Sequence, residues 1–249
     1  MSLPDVVSRE EWLVKRRELL MREKEHTRLG DRINADRRRL PMVEITKEYR
    51  FAGPAGTASL LDLFKEHRQL VIQHFMFDPS WEKGCPSCTA SVDETSGGLL
   101  THLRSRSTNF ALVSRAPLSM IEPYRSAHGW ELDWYSSFGT DFNYDFHVTL
   151  DASVAPVQFN YRDETELATS GFEWMLDSSA QPMEQPGVSC FLRDEERVFH
   201  TYSSFGRGVE GLGGSYPVLD LTALGRQEAW EEPKGRVGQP LENEPNFEE

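Results

Sequence analysis

Cysteine is scarce, with three residues in a chain of 249. That is too few for a small secreted domain held by a disulfide framework. Long apolar runs are missing as well: no stretch approaches the ~18 residues of a membrane-spanning helix. The opening MSLPDVVSREEW shows no basic segment followed by an apolar one, as a secretory signal would. A cytoplasmic protein that engages no membrane is expected. Basic charge is also short. With 27 Lys+Arg against 40 Asp+Glu the formal net charge is −13, which opposes nucleic acid and anionic lipid unless a basic patch is set apart. The run Arg37-Arg38-Arg39, beside Arg32, lies among acidic residues and reads as part of a charged helix. What the chain does have is aromatic bulk, 14 Phe, 7 Tyr and 6 Trp, enough for a sizeable core.

Ser8 and Glu11 form the S-x-x-E pattern of a capping box. A long charged helix is expected from about residue 8 to 39, ended by Pro41. Its apolar stripe is thin, which permits packing on a partner chain and a homodimer. MVEITKEYRFAG, 42–53, reads as two short strands or a hairpin, and Ser59 as the cap of a short helix SLLDLF. QLVIQHFMF, 69–77, and NFALVSRA, 109–116, read as strands buried on both faces. A helix is expected from about 86 to 104 between them. Pro117 opens a second, PLSMIEPYRSAHG, then a strand and turn follow in WELDWYSSF. Strand, helix, strand, helix, strand implies a parallel sheet with right-handed crossovers. Residues 150–185 read as an insertion with little regular structure. GVSCFLR and RVFHTYSS read as an antiparallel hairpin, and SYPVLDLTAL as a final helix. The division expected is a helical extension 1–41, a main domain 42–226, and an acidic tail 227–249, rich in Pro and Gly and disordered.

Cys85-Pro86-Ser87-Cys88 carries the chemistry. A redox dithiol needs two sulfurs able to close a bond about 2 Å long, which one helical turn with three-residue spacing allows. A cysteine at a helix N-terminus meets unpaired N–H groups and the positive dipole end, which favour its thiolate. Pro86 suits the first helical position, and Gly84 allows a tight turn into it. Cys85 is therefore the expected nucleophile and Cys88 the resolving thiol. The setting between a buried strand and a helix strengthens the motif. A zinc site would need a second Cys or His pair, and no second C-x-x-C or H-x-x-H is present. The reaction calls for no organic cofactor; its partners are a thiol or disulfide substrate and a reductant.

Six stretches together resemble a bacterial family of the thioredoxin-like superfamily, domain of unknown function number 899. They are REEWLVKRRELLMREKEHTRLGDRINADRRRLP, HFMFDPSWEKGCPSC, VSRAPLSMIEPY, GTDFNYDFHV, VFHTYSSFGRG and YPVLDLTALGR, spanning about residues 8 to 226. The resemblance implies an α/β thioredoxin-like fold, a central mixed sheet flanked by helices, and a dithiol activity. It also implies a cis-proline facing the redox pair. Pro186, before GVSCFLR, is the expected residue and Pro182 its competitor. The chain departs from ordinary thioredoxin: Gly84 stands where a tryptophan usually precedes the first cysteine, and Trp81 lies four positions away.

Other residues have candidate roles. His74 could take a proton from Cys88, Trp81 could pack over the dithiol, and Arg115, ending a parallel strand, could hold an anionic substrate or a thiolate. Three alternatives stand beside the oxidoreductase. A thiol peroxidase would use Cys85 against peroxide, although the usual P-x-x-x-[ST]-x-x-C spacing is absent. A metal-binding or carrier module would add His147 or His200 to the two cysteines. A non-catalytic protein would dock through the first helix and the tail.

Overall fold

The computed structural model describes residues 3–240. Two compact units are distinguished, one holding the chain up to Pro41 and from Leu219 on, the other Met42–Val218. In the first, helix α1 spans Arg9–Arg37. The Ser8 amide donates to Glu11 (2.9 Å) and Ser8 Oγ accepts from the Glu11 amide (3.2 Å), closing the expected capping box. No residue of α1 is buried. Residues 227–240 of the expected tail form turns, and 241–249 lie outside the described residues.

The second unit is built on one eight-stranded sheet. Its elements are β1 (Val43–Glu44), β2 (Arg50–Gly53), β3 (Gly56–Ser59), β4 (Gln69–His74), α2 (Pro86–Asp93), α3 (Gly97–Arg104), β5 (Thr108–Ser114), α4 (Leu118–Ala127) and β6 (Asp133–Ser136). They continue with α5 (Phe142–Asp145), β7 (Thr149–Leu150), α6 (Glu164–Leu167), β8 (Met183–Glu184), β9 (Gly187–Asp194), β10 (Arg197–Phe205) and α7 (Ser215–Leu219). The strand order is β1-β10-β9-β4-β5-β6-β2-β3, with β7 and β8 a separate pair. β4, β5 and β6 run parallel, and β9 lies antiparallel to β4. The order β10-β9-β4-β5, with helices crossing between the parallel strands, is the thioredoxin-like core, as the sequence implied.

The two long apolar runs are central strands because both their faces are covered. Leu70 and Ile72 of β4, with Ala111 and Val113 of β5, join Phe64, Phe142 and Phe191 in one core. Val71, Phe110 and Leu112 join Cys88, Val92, Ile121 and Trp134 in the other. The period of two thus assigns each residue to a face, and α2, α3 and α4 lie over the second.

Several elements differ from the sequence reading. The helix expected over 86–104 is two, because Thr95, Ser96, Gly97 and Gly98 are poor helix formers and Ser96 caps α3 by accepting the Leu99 amide (3.1 Å). The two strands within 42–53 do not pair together: β1 pairs with β10, and β2 makes its hairpin with β3. The left-handed φ of 107° at Gly56 sits at that turn. SLLDLF yields only a 3-10 turn, Asp62–Phe64; Ser59 still bonds Asp62 reciprocally (2.7 and 3.2 Å) while lying in a strand. The final helix is the short α7. Residues 150–185 hold short pieces of helix and strand, yet Val157, Phe159, Leu167 and Met175 are buried in the first core.

Candidate active site

The dithiol is placed by the chain that leaves β4. The Phe75 amide donates to Val113 O (2.9 Å) and Ser114 Oγ donates to Phe75 O (2.7 Å), so the strand's end is tied to β5. Asp78 then makes a local turn, accepting from the Ser80 amide (2.8 Å) and hydroxyl (2.6 Å). The chain doubles back until the Cys85 amide donates to Met76 O (3.0 Å). Gly84 makes this return possible: a Cβ there would sit 2.5 Å from Phe75 Cε1 and 3.4 Å from Tyr124 Cε1. Close approach, not backbone conformation, is what demands glycine at this position.

Cys85 is the N-cap of α2, with φ −57° and ψ 129°, and Pro86 opens the helix as expected. The Cys85 carbonyl accepts the Thr89 amide at 3.0 Å. Cys88, one turn on, is buried at 5% exposure, whereas Cys85 is half-buried; no disulfide joins them. The Cys88 thiol is held well above the usual cysteine range. The main cause is its hydrogen bond to the Cys85 sulfur, followed by burial and the Cys85 charge, with the Met76 backbone opposing. Burial and the neighbouring Cys85 sulfur both favour the protonated form of Cys88, while Cys85 stands at the helix start.

The chain matches, over residues 1–243, a family described as a bacterial protein of unknown function (DUF899). It belongs to that family. No curated protein matches it. Solved structures similar to this DUF899 chain include the bacterioferritin comigratory protein of Xanthomonas campestris, studied for alkyl peroxide reduction (11% identity, 66% of this chain and 84% of that one, TM-score 0.40). The peroxidoxin BcpB of Mycobacterium tuberculosis is similar at 9% identity over 70% of this chain and 93% of that one, with a TM-score of 0.40. The mitochondrial 2-Cys peroxiredoxin of Plasmodium falciparum follows at 7% identity, 66% and 79% coverage, and a TM-score of 0.39. Likenesses at such identities and scores do not reach the chemistry.

In this DUF899 protein Trp81, Cys85 and Tyr124 pack against the core that contains Cys88. His74 does not join them. Its ring lies near Phe142 and Phe146 (centroids 5.7 and 6.0 Å), on the opposite face of the sheet from α2. Its Nε2 meets Ser189 Oγ at 2.8 Å, and burial drives its pKa from 6.5 down to about 3, with His200 a further cause. It is not placed to take the Cys88 proton. Pro186 is not a cis residue either: cis bonds precede Pro182 and Pro233. The chain at Pro186 runs straight into β9, and the Pro186 carbonyl accepts the Gly206 amide (3.3 Å).

Arg115 is not a free anion receptor. Its Nε donates to Glu184 Oε1 (2.6 Å) and its Nη2 to Asp78. The side chain of Glu184 is 1% exposed, and it also accepts from Thr149 Oγ1 at 3.0 and 3.1 Å. Burial raises the Glu184 carboxyl, opposed by Arg115, Thr149 and Asn143. Two carboxylates on one guanidinium repel a further anion, so the cluster ties together the Asp78 loop, the end of β5 and β8. Membership of Asp78 and Glu184 had no local signal, since Arg115 and Glu184 lie 69 positions apart. Among the described residues no three His, Cys, Asp or Glu side chains gather as a metal site. No helix among them is long and apolar enough to cross a membrane.

Proposed function

We propose that the chain is a dithiol–disulfide oxidoreductase acting through Cys85 and Cys88. The observation that carries this reading is the asymmetry of the pair: one half-buried sulfur stands at a helix N-cap, and a second, buried thiol lies one turn on. Cys85, as thiolate, attacks one sulfur of a substrate disulfide. The S–S bond breaks, one substrate thiolate leaves and takes a proton, and a mixed disulfide forms on Cys85. Cys88 loses its proton, attacks the Cys85 sulfur and expels the second substrate thiol. The substrate gains two electrons and the enzyme closes a Cys85–Cys88 disulfide, which an external dithiol reopens.

The peroxidase alternative has less support. The hydroxyl in the approach loop, Ser80, donates to Asp78 rather than standing free for a peroxide. Reaction of Cys88→Ser with glutathione disulfide tests the proposal. A stable glutathione adduct on Cys85 is expected in that variant, with no lasting adduct in the wild type or in Cys85→Ser. An adduct that persists equally in all three, or forms on none, overturns the assignment.

A further inference from the structure

We infer that Tyr124 is a positioning residue for Cys85, acting through the hydroxyl of Thr89. The inference rests on the dithiol reading above and adds to it a residue outside the C-P-S-C motif. Thr89 Oγ1 lies 2.9 Å from Cys85 O and 2.9 Å from the Tyr124 hydroxyl. A carbonyl only accepts, so the single Thr89 proton goes to Cys85 O. The Tyr124 O–H must then donate to Thr89 Oγ1. The direction of the relay is fixed: Tyr124 O–H to Thr89 O–H to the Cys85 carbonyl. Each donor polarises the next, which strengthens both bonds.

The relay ends on the atom that sets the N-cap. The Cys85 carbonyl receives both the Thr89 amide at 3.0 Å and the Thr89 hydroxyl at 2.9 Å. Two donors on one oxygen restrict ψ of Cys85, and with it where Sγ stands relative to the open N–H groups of α2. Tyr124 also borders the residue before Cys85: its Cε1 stands 3.4 Å from where a Cβ on Gly84 would lie. The ring itself is held by Phe77 (centroids 5.5 Å) and Trp134 (6.1 Å, 86° between planes). One side chain from α4 therefore reaches Cys85 O through Thr89 and borders the residue before it.

The charges around the phenol suit a donor. Burial is the main cause that raises its pKa, and Asp93 and both cysteines add to it. His128, one turn along α4, faces the ring at 4.7 Å between centroids. The phenol keeps its proton while the Cys85 thiolate forms, so the relay survives the charge it serves.

The test is the pH profile of iodoacetamide alkylation of Cys85 in the full chain, read by peptide mass spectrometry. Tyr124→Phe and Thr89→Val are each expected to slow alkylation at pH 7 by about three- to tenfold, the span of one ordinary hydrogen bond. The double variant is expected to be no slower than Thr89→Val, and Thr89→Ser is expected to match the wild type. Single variants that alkylate at the wild-type rate, or effects that multiply in the double variant, overturn the relay. If wild-type Cys85 itself reacts no faster than Cys190, the dithiol reading fails instead, and the two failures are told apart. Should Thr89→Val not fold, proton NMR of the wild type decides. Slowly exchanging hydroxyl resonances from Thr89 and Tyr124 uphold the relay, and rapid exchange at both overturns it.

Discussion

Acidification from pH 7 to pH 5 should weaken the fold by about 2 kcal/mol through His74 alone. The ring is fully buried near two phenylalanines, and its pKa falls from 6.5 to about 3. His74 is a base with a depressed pKa, so below pH 6.5 the unfolded chain takes up a proton that the folded chain refuses. Stability therefore falls as pH drops through that window and levels off only near pH 3. At pH 5 the unfolded ring lies 1.5 pH units below its pKa of 6.5, which at about 1.36 kcal/mol per unit gives ~2 kcal/mol. The figure barely depends on the folded value provided that it stays below about 4. In a domain of this size the loss lowers Tm by roughly 4–8 °C. Urea unfolding at pH 7 and pH 5 measures it, with His74→Asn as reference, because His147 and His200 are also lowered and Glu184 is raised in the opposite sense. The wild type should lose about 2 kcal/mol more than the variant on acidification. An NMR titration of the folded protein gives the second readout: the His74 ring proton should not shift between pH 8 and pH 5. Equal losses in the two proteins, or a midpoint near 6.5, would refute the reasoning.

Two further outcomes follow from the packing around the dithiol. Gly84→Ala drives a methyl into Phe75 and should cost about 1–3 kcal/mol by overpacking. Calorimetry reads the loss, and a second change, Phe75→Leu, should recover part of it. Arg115→Gln strands the carboxylates of Asp78 and Glu184 and should cost about 3–5 kcal/mol at pH 7. Its deficit in urea should shrink at pH 5, since Glu184 is already biased toward its protonated form; a deficit independent of pH would count against the paired-charge account.

Much of the fold is legible in the residues. The runs around Leu70 and Leu112 announce central strands because apolar residues follow one another at both parities, and they are central strands. Cys85 followed by Pro86 reads as a helix start and is one. The same apolar uniformity hides which face a strand residue occupies. With both faces buried the apolar residues mark no side, so His74 is read toward Cys88 although it shares the parity of Leu70 and Ile72. Arg115 fails for another reason: its partners arrive from the loop after β4 and from β8, and contacts between distant segments leave no local trace. The relay through Thr89 and Tyr124 has the same character, since the two side chains meet across 35 positions. Pro182 and Pro186 differ only in context four residues apart, and spacing does not choose between them.

The most direct measurement is intact-mass and peptide mass spectrometry of the protein equilibrated in a series of glutathione redox buffers. The account predicts loss of two hydrogens as an internal Cys85–Cys88 disulfide, regained on adding dithiothreitol, with Cys190 left as a thiol throughout. An oxidised form that links Cys190 to either partner, or a pair that stays reduced across the whole series, would contradict it.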